Sequence, residues 1–178
     1  RSAAIMRQVF AGLEYCHAPE RNVVHRDVKP ENIMVSNGET PEVKLIDFGL
    51  AAHVGQEIGA AGTRAYLAPE IQAGHGYCTT SLDLWGAGVV LYACLMGELP
   101  PAAVRSGSMS VRQLVNWRKA GISPAAQDLV SGLLCPAGER LTAAQALQHP
   151  WLRFGAATPG LPFALSGAKI RKSPLQKA

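Results

Sequence analysis

The 178-residue chain lacks the features of membrane, secreted and disulfide-rich proteins. Its longest uncharged apolar run, Leu84 to Gly97, has fourteen residues, too few to cross a bilayer as a helix. No secretory signal is visible, and the four cysteines show no C-x-x-C spacing, which favours reduced thiols over disulfides. We therefore expect an intracellular, cytoplasmic protein without a membrane span.

Acidic residues are absent from the end of the chain. Residues 1–153 carry thirteen Lys/Arg and thirteen Asp/Glu, so the net charge of +4 comes from Lys169, Arg171, Lys172 and Lys177. A surplus of positive charge that is confined to one short segment is poor evidence for nucleic-acid binding, and we expect no nucleic-acid partner. The sequence predicts one domain over 1–153 and a basic, disordered tail over 154–178, either a solvated arm or a regulatory segment.

Hydrophobic periodicity predicts a mainly helical α+β fold with a small β-hairpin region. Strands are expected at 23–24, 33–35 and 43–46, the last two forming the hairpin. Residues 50–65 contain three glycines and little periodicity, which predicts a loop, and no pattern is visible after Trp151. Helices are predicted over 1–17, 80–97, 110–120, 123–134 and 142–148.

Several of these helices have residues at their ends that are typical of helix starts or stops. The helix over 80–97 is apolar nearly all round, as in a buried central helix, with Thr79, Thr80 and Ser81 as cap candidates and Gly97 as its stop. Ser123-Pro124 predicts a capped helix start, and Thr142 with Gln145 predicts a capping box.

One polar loop, His25 to Asn32, concentrates reactive side chains between two apolar segments, and Asp47-Phe48-Gly49 follows fifteen residues later. Asp27 can accept a proton from a hydroxyl, and Lys29 can neutralise a phosphate. Asn32 and Asp47 offer hard oxygen ligands of the kind that Mg²⁺ shares with phosphate. These are the requirements of phosphoryl transfer.

The loop and five further motifs together resemble the catalytic domain of eukaryotic serine/threonine protein kinases, specifically its C-terminal, large lobe. His25–Asn32 is similar to the catalytic loop, and Asp47–Glu70 to the activation segment. In style the chain is closest to the calcium/calmodulin-dependent and calcium-dependent kinases. The motifs, in chain order, are His25–Asn32, Asp47–Gly49, Gly62-Thr63 with Tyr66–Glu70, Asp83-x-Trp85-x-x-Gly88, Arg140 and His149–Leu152.

This resemblance implies a catalytic role for several residues, with ATP and Mg²⁺ as cofactors and a protein Ser/Thr hydroxyl as acceptor. Asp27 would be the catalytic base and Lys29 would contact the γ-phosphate. Thr63 would hydrogen-bond both of them. The metal ligands would be Asn32 and Asp47, and Met34 would form the floor of the adenine pocket.

Other residues are expected to support the site. Glu31 could contact an arginine of a peptide substrate or be a solvated loop charge. His25 is expected to pack beneath the loop, and Asp83 to cap backbone amides there. The position of Arg26 binds a phosphorylated residue in many kinases. Phe48 would be a hydrophobic anchor and Gly49 a flexible exit from the metal site, and Glu70 would pair with Arg140.

The chain also departs from the family pattern. The Gly-rich phosphate loop, the Val-Ala-x-Lys strand and the helix glutamate of the small lobe are missing, so we expect the chain alone to be inactive. It would be a piece of a kinase whose small lobe is a partner elsewhere in a parent chain, or a non-catalytic, pseudokinase-like interaction module. A kinase-like small-molecule phosphotransferase fits poorly, because Ala68-Pro69-Glu70 with Arg140 is typical of protein kinases.

The activation segment has no acceptor for phosphorylation between Leu50 and Gly62, where Ser, Thr and Tyr are absent. Arg26 therefore has no obvious phosphorylated partner. We hypothesise that the parent kinase does not need phosphorylation of this segment.

Overall fold

A computed structural model of the chain describes residues 1–154 except 39, 73, 118 and 119, and excluding the side chain of residue 75. Six strands and eight α-helices lie within these residues. The strands are β1 (Val23–Val24), β2 (Ile33–Val35), β3 (Val43–Leu45), β4 (Ala52–His53), β5 (Glu57–Gly59) and β6 (His75–Tyr77). The helices are α1 (Ser2–His17), α2 (Pro69–Gln72), α3 (Ser81–Met96), α4 (Ala102–Arg105), α5 (Val111–Leu114), α6 (Pro124–Leu133), α7 (Ala143–Gln148) and α8 (Pro150–Phe154).

Helix α3 is the centre of the hydrophobic core. It is buried from Asp83 to Cys94, which confirms the predicted central helix, and it ends at Gly97 in the left-handed conformation. Thr80, one of the three predicted cap candidates, is the N-cap residue, but its side chain makes no cap hydrogen bond. Instead, the hydroxyls of Thr79 and Ser81 lie 2.8 Å apart and bond to each other.

Helices α1 and α6 pack against α3, and α7 and α8 pack against α1. The buried face of α1 includes Ile5, Val9 and Leu13, the stripe expected from its 3.6-residue period. Both predicted helix starts further along are confirmed. Ser123 accepts a hydrogen bond from Ala126 N, and Thr142 forms a reciprocal capping box.

Strands β2 and β3 form the predicted antiparallel hairpin, with Ile33 opposite Leu45 and Val35 opposite Val43. Both strands pack against the core. A short 3₁₀ turn at Pro30–Asn32 leads directly into β2, which fixes the end of the polar loop to a strand. The hairpin thus holds the loop before β2 and the segment after β3 at the same end.

The structure corrects three predictions. Residues 50–65 are not a simple loop, since β4 pairs with β1, β5 pairs with β6, and a 3₁₀ turn follows at Arg64–Tyr66. In the predicted helix over 110–120, the described residues (all but 118 and 119) are helical only in α5, because Val115 takes an extended conformation. Regular structure also continues beyond Trp151, as α8 reaches Phe154.

Two further predictions concern the cysteines and a membrane-spanning helix. All four cysteines are free, with Cys78 and Cys94 buried. Across the described part of the chain, no helix has the length and hydropathy needed to cross a membrane. The predicted tail lies outside the described residues from 155 onward.

We predict that Gly88→Ala destabilises the fold by about 1–3 kcal/mol, because overpacking strains a filled core. A Cβ at this position in α3 would lie 2.8 Å from Leu133 Cβ and 3.0 Å from Leu134 Cδ2. Urea denaturation measures the loss. Gly138→Ala is the matched control, since a Cβ there meets nothing within 4 Å and should leave stability unchanged or slightly higher. Equal stabilities of the two variants would contradict this packing.

Candidate active site

The polar loop is anchored from below by the buried carboxylate of Asp83, which is 1% exposed. Its Oδ2 accepts a hydrogen bond from His25 N and its Oδ1 accepts one from Arg26 N, both at 2.8 Å. His17 Nε2 also lies 2.8 Å from Oδ2, and it must donate because a carboxylate only accepts. Three donors from α1 and the loop therefore converge on one side chain of α3.

The imidazole of His25 joins the loop to the segment after β3. Nε2 donates to Ile46 O at 3.0 Å, and Nδ1 accepts from Asp27 N at 3.3 Å. A single tautomer, protonated on Nε2, satisfies both bonds. The ring is fully buried and lies 4.6 Å from the ring of Phe48, which is itself partly exposed. His25 thus lies beneath the loop and is enclosed by it.

Two non-glycine residues at the site take left-handed backbone conformations, Arg26 with φ 67° and Asp47 with φ 64°. Such conformations cost energy in L-residues and persist where surrounding contacts impose them. The bonds from Asp83 impose the first. At the second, Asp47 Oδ1 accepts from Gly49 N at 3.2 Å, which closes a tight turn over Phe48.

Asp27, Lys29, Asn32 and Thr63 form one hydrogen-bonded cluster above this support. Lys29 Nζ donates to Asp27 Oδ2 at 2.5 Å and to Thr63 Oγ1 at 2.8 Å. Thr63 N donates to Asp27 Oδ1 at 3.1 Å, so Thr63 reaches Asp27 through its backbone and Lys29 through its hydroxyl. Asn32 Nδ2 donates to both Asp27 O and Asp27 Oδ2, at 2.9 and 3.0 Å.

Opposing effects act on the Asp27 carboxyl group. Burial raises its pKa, but the hydrogen bonds from Lys29, Thr63 and Asn32 and the charge of Lys29 together lower it below the ordinary value. The carboxylate is therefore ionised at neutral pH. It is only 8% exposed, so it presents a fixed negative charge at a partly desolvated position.

Asn32 and Asp47 offer oxygens beside the cluster without completing a metal cage. Both hydrogen bonds of the Asn32 side chain use its nitrogen, which leaves the amide oxygen as a ligand atom. Ile46 N donates to Asn32 O at 3.0 Å and so places Asp47 next to this strand. No group of three or more His, Cys, Asp or Glu side chains able to hold a metal occurs among the described residues. Carboxylate and amide oxygens are the hard donors that Mg²⁺ prefers, so the chemistry of Asn32 and Asp47 fits this ion, which takes few protein ligands.

Arg26 extends toward the activation segment and binds two of its carbonyl groups. Nη1 donates to Leu50 O at 3.1 Å and Nη2 donates to Gly59 O at 3.0 Å. The guanidinium thus contacts main-chain acceptors in the segment that lacks hydroxyl side chains.

Glu70 and Arg140 form an ion pair away from the cluster, with 2.7 Å between Glu70 Oε1 and Arg140 Nη1. The guanidinium also donates to Ser81 O and Cys135 O, and it lies 4.9 Å from the Trp85 ring. The pair joins the end of the activation segment to the start of α3.

Two further predicted residues, Met34 and Glu31, are not hydrogen-bonded members of the Asp27 cluster. Met34 is half-buried in β2, opposite Lys44. Glu31 is exposed, and its charge adds to the larger effect of burial in raising the pKa of Tyr66 to about 12.

The protein kinase domain family model matches residues 1–152. The chain belongs to the protein kinase family. The serine/threonine-protein kinase DCLK3 of Mus musculus is 43% identical over 153 residues, covering 78% of this chain and 19% of that protein. Aurora kinase C of Mus musculus is 40% identical over 159 residues, covering 86% of this chain and 55% of that protein.

The fold of this kinase domain is also similar to a solved structure of titin kinase and its flanking domains. The TM-score is 0.72 at 30% sequence identity, over 86% of this chain and 29% of that one. The kinase domain spans between 19% and 55% of the two sequence relatives named above. Relatives in several groups of serine/threonine kinases support protein kinase function without favouring the calcium-dependent group.

Sequence reasoning missed two features of the kinase domain that hold the loop. The position of His17 at the last turn of α1 gives no sign of its bond to Asp83. Gly86 looked like an ordinary residue of an apolar helix, yet a Cβ there would lie 2.9 Å from Val28 O. Its lack of a side chain lets the loop backbone rest directly on α3.

We predict that Asp83→Asn destabilises the kinase domain by about 2–4 kcal/mol, because an amide cannot accept from all three converging donors. Amide hydrogen exchange at His25 and Arg26 should accelerate in the same variant. Asp128→Asn is the matched control, since Asp128 pairs with Arg112 and is 63% exposed. The Asp128→Asn substitution should lower the free energy of unfolding by less than about 1 kcal/mol. Similar losses in both variants would argue against Asp83 as the anchor.

We predict that Asp27 stabilises the fold at neutral pH and that this contribution disappears in acid. Because its folded pKa is lowered, the contribution is complete above the ordinary value of 3.8 and is lost as the pH falls through the folded pKa. Unfolding free energies of the parent sequence and Asp27→Asn, measured from neutral to acidic pH, should therefore converge. When Lys29 is replaced by Met, acidification should change the difference in unfolding free energy between proteins with and without the Asp27→Asn substitution by less. A difference independent of pH would refute the assignment.

Proposed function

We propose that this chain is the large lobe of a serine/threonine protein kinase that transfers the γ-phosphoryl group of ATP to Ser or Thr hydroxyls of proteins. The cluster of Asp27, Lys29 and Thr63 is the observation that supports this most directly. It presents an ionised carboxylate next to an ammonium group, the combination that a hydroxyl nucleophile and a phosphoryl group require.

Asp27 is proposed as the group that receives the proton of the attacking hydroxyl. Its hydrogen bonds hold the carboxylate in one orientation, so an acceptor hydroxyl meets a preformed base. Lys29 is held between Asp27 and Thr63, and its positive charge can follow negative charge that develops on the transferred group. Thr63 fixes both residues relative to the activation segment.

Asn32 and Asp47 are proposed to hold Mg²⁺, which when bound with ATP supplies charge neutralisation on the phosphates. Asn32 is oriented by its two bonds to Asp27, so the base and the metal ligand share one network. Met34, the second residue of β2, is proposed to contact the adenine ring. His25, Phe48 and Asp83 support these groups from below without contacting substrate.

Arg26 supports the hypothesis that the activation segment needs no phosphorylation. Its guanidinium is already bonded to Leu50 O and Gly59 O, which orders the segment through main-chain acceptors. Mapping of phosphorylation sites in the active parent protein tests this. Activity that depends on a modified Thr63 would overturn it.

We predict that Asp27→Asn lowers kcat for peptide phosphorylation by the full-length protein about 10²–10⁴-fold, the usual contribution of a general base. Asp47→Asn should also abolish transfer, and raising the Mg²⁺ concentration should recover part of it. Circular dichroism must show both variants folded, and Asp128→Asn should retain full activity. Wild-type protein that binds a partner but phosphorylates no peptide would favour the alternative of a non-catalytic interaction module.

A further inference from the structure

An exposed cation, Arg64, lies at the rim of the site beside the Asp27 cluster. Arg64 is exposed and makes neither a hydrogen bond nor an ion pair within the described residues. The neighbouring cations are engaged, Arg26 by two carbonyl groups and Lys29 by Asp27 and Thr63. The Arg64 guanidinium is thus available to bind an anionic group of a ligand.

Arg64 lies next to the place where the acceptor hydroxyl must bind. It directly follows Thr63, so the two Cα atoms are about 3.8 Å apart. Thr63 N is 3.1 Å from Asp27 Oδ1, the proposed proton acceptor. The residue next to the acceptor in an extended peptide lies only about 3.5 Å further on. An arginine side chain spans this distance readily.

The local turn directs Arg64 outward. Tyr66 N donates to Thr63 O at 2.8 Å, and residues three apart in a 3₁₀ turn lie on the same side. Thr63 and Tyr66 both line the cavity beneath the turn, whereas Arg64 does not. The guanidinium therefore lies on the solvent side, where a substrate arrives.

An exposed charge of opposite sign, Glu31, lies within electrostatic range of the same turn. Glu31 is exposed, and its charge acts on Tyr66, two residues after Arg64. A substrate with an acidic side chain would be repelled near Glu31 and attracted near Arg64. The two charges thus favour one placement of an acidic residue over others.

We propose that Arg64 is a specificity-determining residue that binds an acidic side chain adjacent to the Ser or Thr acceptor of the protein substrate. This inference depends on the proposed function for the identity of the acceptor. An exposed charge pair changes binding only modestly, so we expect a two- to fivefold preference. The preference should weaken as ionic strength rises.

The test uses the full-length protein and peptides that carry Asp, Ala or Lys on either side of a single serine. Both kcat/KM for phosphorylation and Kd without nucleotide are measured. Asp at one flanking position should be favoured over Ala about two- to fivefold. Arg64→Ala should make the Asp and Ala peptides equivalent, and Arg64→Glu should favour Lys. Arg7→Ala, at an exposed arginine of α1, should leave the order of peptides unchanged.

The two proposals fail in different ways. If the wild-type protein phosphorylates no peptide, the proposed function fails, and the Kd series still decides the role of Arg64. Equal Kd values for the Asp, Ala and Lys peptides overturn that role. So does a preference for Asp that persists in Arg64→Glu.

Discussion

A single buried carboxylate sets the geometry on which the site depends. Asp83 accepts from His17, His25 and Arg26, and so ties the end of α1 and the start of the polar loop to the central helix. Burying an unpaired carboxylate would be costly, and three donors offset that cost only in this arrangement of chain segments. The loop is therefore held by electrostatics from within the core, beneath the side chains of the Asp27 cluster.

The charges are arranged in layers that follow from this anchor. Asp83 lies in the dry interior, Asp27 lies in a partly desolvated layer with Lys29, and Glu31 and Arg64 lie at the exposed rim. An interaction of given geometry is stronger in the lower dielectric of the inner layers. The inner pairs accordingly determine structure and the Asp27 pKa, whereas the rim charges are suited to modest selection among ligands.

Much of this architecture could be predicted, for identifiable reasons. The hairpin and α1 follow from hydrophobic periodicity, and α3 follows from its long apolar run. The starts of α6 and α7 follow from local capping residues. Strands β4 and β5 could not, because two- or three-residue strands in a Gly-rich segment carry no periodic signal and depend on partners distant in sequence. The contacts of Thr63 with Asp27 and Lys29 were expected from the resemblance to protein kinases. The carbonyl partners of Arg26 were not, since backbone acceptors leave no trace in residue identity.

The contact of Arg26 with two carbonyl groups has a consequence for motion. One rigid, planar cation bridges Leu50 and Gly59, nine residues apart, and closes the chain between them into a ring. Losing either bond frees the guanidinium to rotate and so weakens its hold on the other acceptor. The enclosed residues should therefore open and close together as one cooperative unit, with a single exchange rate, instead of fraying from one end.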